Sequence, residues 1–220
     1  MPLHITHRPN DFSSIIGNEV IIKKIQTILD RQKDYPRAWM FTGPTGCGKT
    51  TIARIVSGCL GCNPVTTNQD FCEINASSMR GIDTAREIQR NMAFMPMNKG
   101  TLCRVYLWEE CHQVTKDAQN AMLRALEDTP GHVYFLLCTT EPEKLLPTIK
   151  NRCSTFEVKS LTQSQLVQLV RQVLDSEGEE AVGEDVINAI AEAADGCPRQ
   201  ALVTLDQVID LEPEEMLAAV

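Results

Sequence analysis

The sequence predicts an α/β fold, a central parallel five-stranded sheet followed by a small all-helical domain, and three observations predict it. Short apolar runs recur along the first 158 residues, segments of helical periodicity lie between them, and beyond residue 160 the strand-like runs stop while the helical pattern continues. The runs are Ala38 to Thr42, Phe71 to Ile74, Arg104 to Trp108, Val133 to Cys138 and Ser154 to Val158. Their alternation with helical stretches is the pattern of parallel strands joined by crossover helices. Between the third and fourth runs, Ala118, Ala121, Met122, Ala125 and Leu126 share a helical face that ends near Pro130-Gly131. After the fifth run, Thr162 and Gln165 form a capping box ahead of a helix carrying Leu166, Leu169, Val170, Val173 and Leu174. A second helix fits Asp185 to Ala194, and a third opens at Pro198 and carries Leu202, Leu205 and Ile209. Residues 1–159 therefore read as an α/β domain and residues 160–220 as a three-helix lid, with Pro213 to Met216 beginning another helical-looking segment.

Composition narrows the setting. An apolar content of 43% over 220 residues is enough for a buried core. The first residues lack the pattern of a signal peptide, and no apolar run approaches the roughly 20 residues of a membrane span. The nine cysteines are scattered through strands and helices, which reads as reduced, buried thiols in a cytoplasmic protein. The formal charge of -8 is unevenly spread: from Asp175 to Val220 thirteen acidic residues face one basic residue, leaving -12 there and +4 in residues 1–174. Any contact with nucleic acid is expected in the first part.

One motif carries chemistry directly. Gly43-Pro44-Thr45-Gly46-Cys47-Gly48-Lys49-Thr50 follows the first strand and opens a helix, the setting of a P-loop. The glycines let backbone N–H groups wrap phosphates, Lys49 reaches the outer phosphates, and Thr50 offers its hydroxyl to Mg²⁺. A lysine at a helix N-terminus has the wrong sign for the dipole, so an anion is expected beside it. The third strand ends in Glu109-Glu110, where P-loop enzymes place one carboxylate to hold the magnesium through water and, in many, a second to polarise the attacking water; Glu109 is expected in the first role and Glu110 in the second.

With these motifs stand Arg8-Pro9, Ile15-Ile16-Gly17-Asn18-Glu19, Asn75-Ala76-Ser77, Arg80 to Asp83, Glu109 to His112, Ala118 to Pro130, Thr139-Thr140, Asn151-Arg152-Cys153 and Gly196 to Leu202. In this order they resemble the AAA+ ATPase subunits of DNA sliding-clamp loaders, including the bacterial gamma/tau subunit and the small subunits of replication factor C. The resemblance implies ATP and Mg²⁺ as ligands. It implies that Arg8 and Ile16 close over adenine, that Gly43 to Thr51 hold the nucleotide, and that Thr140 and Arg199 are sensors coupling ATP to lid closure. It also implies that Arg152 acts in trans on a neighbouring subunit's ATP, hence an oligomer, pentameric where a collar domain is present. No collar is read in these 220 residues.

The sequence departs from the family pattern in three respects. Glu109 stands where the family usually has Asp, which makes hydrolysis a narrower inference than binding. Asn151 replaces the Ser before the trans arginine, and only Cys59, Cys62 and Cys72 stand where the gamma/tau subunits carry a four-cysteine zinc module. With the fourth ligand missing, buried thiols are a better reading than zinc. By the same resemblance, Arg80, Arg86, Arg90 and Lys116 are candidates to grip the backbone of primer-template DNA without sequence preference, against a plain reading as solvated charges. The leading expectation is an ATPase that, with other clamp-loader subunits, places a sliding clamp on primer-template DNA. The alternatives are a nucleotide-holding scaffold subunit with little hydrolysis, and a related branch-migration or recombination ATPase.

Overall fold

The structure, a computed structural model, describes residues 1–65, 69–79, 81–179 and 182–220, with Pro213 described by its backbone alone. The strands are β1 (Ala38–Thr42), β2 (Phe71–Asn75), β3 (Arg104–Glu109), β4 (Val133–Thr139) and β5 (Ser154–Glu157). The helices are α1 (Leu3–Thr6), α2 (Glu19–Leu29), α3 (Lys49–Cys59), α4 (Ile82–Asn91), α5 (Lys116–Glu127), α6 (Pro147–Lys150), α7 (Gln163–Glu177), α8 (Glu184–Ala193), α9 (Pro198–Val208) and α10 (Pro213–Ala219). The chain divides into two compact units, one of Ile21–Gly43 with Lys49–Glu157, the other of Met1–Val20, Pro44–Gly48 and Val158–Val220.

The first unit is the sheet with its helices. Its strand order is β2-β3-β4-β1-β5 and every pairing is parallel, so all five strands present their C-terminal ends at one edge. Thr42 pairs with both Thr139 and Glu157, and Trp108 with Leu137, which puts the end of β1 level with the ends of its neighbours. The central strands β1 and β4 are buried at every residue, as a strand covered by helices on both faces must be. On one face Met40, Ile74, Tyr106, Trp108, Phe135 and Leu137 pack with Ala85 and Ile88 of α4 and with Ala118, Met122 and Ala125 of α5. Toward β5, Phe156 stacks on Trp39 and Phe41 at centroid distances of 5.4 and 5.8 Å.

The second unit is helical. Leu166, Val170, Val173 and Leu174 of α7, Val186, Ile187 and Ile190 of α8, and Ala201, Leu202, Leu205 and Val208 of α9 form one core. Thr162 and Gln165 close the capping box, and Gly178 ends α7 in the left-handed conformation at φ 74°. Helix α8 runs one residue earlier than the periodicity indicates, from Glu184 to Ala193, and α9 opens at Pro198 as expected. The first twenty residues group with these helices: Leu3 and Ile16 pack against their core, and the Leu3 N–H donates to Asp206 Oδ1 at 3.3 Å.

Candidate nucleotide site

At the C-terminal edge of the sheet, parallel pairing brings together residues from three strand ends and the start of a helix, the place where open α/β sheets hold ligands. Lys49, the first residue of α3, is buried at 6% exposure and its Nζ donates to the Gly43 carbonyl at 2.9 Å. Thr50 Oγ1 donates to Glu109 Oε1 at 2.6 Å. These are the hydroxyl and the carboxylate expected to hold Mg²⁺. Adjacent ligands in an octahedron of 2.1 Å bonds lie about 3 Å apart, so two hard oxygens at this spacing fit that ion.

Glu110 follows immediately in a left-handed backbone conformation, φ 50° and ψ 42°, uncommon for a residue with a side chain and a form that clusters at functional sites. Its Oε2 accepts from Thr140 Oγ1 at 3.4 Å. Thr140 stands one residue beyond β4, half-buried. A short 3₁₀ turn over Cys111–Gln113 then carries His112 back beneath the strand ends. His112 Nδ1 lies 3.1 Å from Thr139 Oγ1 and 3.5 Å from Glu110 Oε2, and its Nε2 lies 3.2 Å from Glu141 Oε1. Lys144 pairs with Glu141 at 2.7 Å and, with His112 adding to it, holds that carboxyl below the usual carboxylate range. In the sequence His112 stands at the end of the Glu109 to His112 motif with no role of its own, and its spacing from Glu110 means little until the turn is known.

Elsewhere in this unit, Thr51 is half-buried in α3. Arg152 lies just past α6, where it pairs with Glu127 at the end of α5 and donates to the Thr148 carbonyl at 3.0 Å. Arg86 and Arg90 are exposed on one face of α4, with Arg86 3.9 Å from Asp83, and Lys116 is exposed at the first position of α5. Arg80 lies outside the described residues. Cys59 is exposed, Cys62 buried and Cys72 half-buried on β2, all free thiols. The neighbour of Cys62 is Cys103, whose thiol is pushed up by that contact and by burial. Among the described residues no three His, Cys, Asp or Glu side chains are grouped to hold a metal ion.

Within the helical unit, the loop segment Pro44–Gly48 lies against the start of α9. Cys47 Sγ is 3.7 Å from Ser160 Oγ, and Cys197 Sγ contacts the Thr45 carbonyl at 3.6 Å. Gly46 has φ 74°, and a Cβ placed on it would stand 2.4 Å from Cys197 Sγ and 3.3 Å from Arg199 Cβ. Arg199 is exposed in the first turn of α9, Arg8 is half-buried after α1, and Pro44 and Thr45 are exposed. Ile16 packs on the helical core, and Gly17, at φ 73°, lets the chain pass Leu161, which a Cβ would meet at 2.6 Å.

A family model described as DNA polymerase III, delta subunit, matches residues 66–162. The DNA polymerase III tau subunit of Bacillus subtilis is 36% identical over 94% of this chain and 39% of its own length. The gamma/tau subunit of Mycobacterium tuberculosis H37Rv is 32% identical over 95% of this chain and 39% of its own, and the Escherichia coli K12 tau subunit 32% identical over 92% and 33%. The chain thus spans between a third and two fifths of the length of these curated relatives. Among solved structures, the Thermotoga maritima RuvB Holliday junction branch migration motor superposes with a TM-score of 0.76 at 20% identity, over 96% of this chain and 71% of that one. At that identity the likeness shows the fold alone, the parallel five-stranded sheet with its helices. No helix among the described residues is long and apolar enough to cross a membrane. Over more than nine tenths of its length, then, the chain resembles the gamma and tau subunits of DNA polymerase III, on a fold shared with RuvB.

Proposed function

We propose that this chain is the ATP-binding and ATP-hydrolysing part of a clamp-loader subunit, which with neighbouring subunits places a sliding clamp on primer-template DNA. The observation that carries the reading is the Thr50–Glu109 pair at 2.6 Å with Glu110 beside it, at a sheet edge entered by a P-loop sequence. The likeness to gamma and tau subunits directs it toward clamp loading.

In this reading the backbone N–H groups of the loop from Gly43 to Gly48, all but that of Pro44, which has none, bind the phosphates, and Lys49 leaves the Gly43 carbonyl for the outer phosphate oxygens. Thr50 and Glu109 would hold Mg²⁺, which supplies charge neutralisation for the β- and γ-phosphate oxygens when bound. Glu110 accepts the proton of the water that attacks the γ-phosphorus, and Thr140, bonded to Glu110, reports that phosphate. Arg152, held by Glu127 here, is supplied to the ATP of a neighbouring subunit, and Arg199 and Arg8 contact the nucleotide from the helical unit. Arg86, Arg90, Lys116 and Arg80 contact DNA phosphates.

ATP turnover by the full-length protein with its companion subunits tests this, with and without a sliding clamp and primer-template DNA. Stimulation by clamp and DNA together is the expected result, and its absence with intact turnover would point to another AAA+ machine. Replacing Arg86 and Lys116 by Ala is expected to lower DNA affinity and flatten its salt dependence. A second reading, a scaffold subunit that binds ATP and barely hydrolyses it, rests on Glu109 in the position where Asp is usual. It requires ATP binding without turnover, relieved by Glu109→Asp.

A further inference from the structure

We propose that His112 is a positioning residue for Glu110, fixing the carboxylate that faces the attacking water and tying its orientation to the segment that follows β4. The proposal rests on the ATPase reading above and deepens it. The left-handed backbone at Glu110 turns the chain sharply, and the 3₁₀ turn behind it is closed by the Gln113 N–H donating to the Glu110 carbonyl at 2.9 Å. That geometry returns the His112 ring to the carboxylate two residues before it, with a side chain only 6% exposed.

Both ring nitrogens are engaged. Nδ1 faces Thr139 Oγ1 at 3.1 Å and Glu110 Oε2 at 3.5 Å, while Nε2 faces Glu141 Oε1 at 3.2 Å. A histidine serving only the core would be satisfied by the Thr139 hydroxyl and one further acceptor; here the ring stands between carboxylates of two different elements. Glu141 is itself held by Lys144 at 2.7 Å, and its N–H donates to Thr139 Oγ1 at 3.0 Å. The ring is therefore anchored from behind, as an orienting carboxylate anchors a catalytic imidazole, with the order of the groups reversed. Glu110 Oε2 also accepts from Thr140 Oγ1, at a long 3.4 Å, so removing His112 takes away the ring that packs beside the same carboxylate oxygen. Because Thr139, Thr140 and Glu141 are consecutive, a displacement of this segment by nucleotide or a partner would reach Glu110 through both contacts.

The test uses the full-length protein, with affinity for a fluorescent ATP analogue measured beside kcat and KM. His112→Ala is expected to lower kcat by about tenfold or more with affinity and KM unchanged, because outer-shell partners of a reacting group act on orientation rather than binding. His112→Asn, whose amide reaches the Nδ1 position, is expected to restore most of kcat, and Glu141→Gln to lower it in the same sense. An unchanged kcat in His112→Ala would overturn the proposal. So would an Asn variant as poor as Ala, or loss of binding together with turnover, which would mark His112 as packing. If the wild type binds ATP and turns none over, the ATPase reading fails by itself. Crystal structures of wild type and His112→Ala then decide positioning: a displaced Glu110 carboxylate supports it and an unmoved one overturns it.

Discussion

At Gly46 a side chain has no room: the backbone is left-handed and an added Cβ would meet Cys197 Sγ at 2.4 Å. Gly48 shares the positive φ, at 96°, with open space around its Cβ position. Gly46→Ala is therefore expected to cost about 1 to 3 kcal/mol for backbone and contact strain together, and Gly48→Ala less. Adding Cys197→Ala should return part of the loss at Gly46. Urea midpoints of the three variants measure this, and a double variant no more stable than Gly46→Ala would contradict the contact. Such a glycine is legible in sequence because the P-loop pattern names it. Thr50 and Glu109 were likewise expected as partners in one task, and they stand 2.6 Å apart. His112 was not legible, because its place depends on Glu110 adopting a conformation that side chains avoid, and no local pattern announces that turn.

Elements were legible where their signals are local. The capping box of α7 is two hydrogen bonds within four residues, Gln165 N–H to Thr162 Oγ1 at 3.3 Å and Thr162 N–H to Gln165 Oε1 at 3.0 Å. Thr162→Ala removes the first and is expected to cost about 1 kcal/mol, read as a lower urea midpoint with an unchanged slope. An unchanged midpoint would mean the helix end draws nothing from its cap. The five strands were legible as apolar runs, yet their order was not: β1 lies between β4 and β5, partners more than ninety residues away, and apolar runs carry no address. The start of α8 at Glu184 rather than Asp185 follows from Gly183 at its N-cap, which offers no side-chain bond to mark the boundary. The grouping of Met1–Val20 with the helices rests on Leu3 and Ile16 finding a core built from residues beyond 160, a long-range event that the α/β reading of residues 1–159 did not contain.

For the molecule as a whole, burial of thiols sets a limit on its alkaline range. Burial pushes Cys111 and Cys138 up and raises Cys153 to about 12. An acid whose pKa is higher folded than unfolded contributes stability that is full below its unfolded value, here 9.0. That stability is lost as pH rises through the folded value. The urea midpoint is expected to hold up to pH 9 and fall between there and pH 12; a flat profile would contradict the buried thiols. Charge is divided along the same chain, -12 in its last 46 residues and +4 before them, which confines the expected DNA contacts to the first part. What the molecule does with this arrangement turns on whether Glu110 serves hydrolysis. The most direct measurement is ATP affinity and single-turnover hydrolysis in wild type and Glu110→Gln, side by side. The expected result is equal binding with hydrolysis lost in the variant by about a hundredfold or more. Equal hydrolysis in the two proteins would contradict the assignment of Glu110 and, with it, the reading of this sheet edge as an ATPase site.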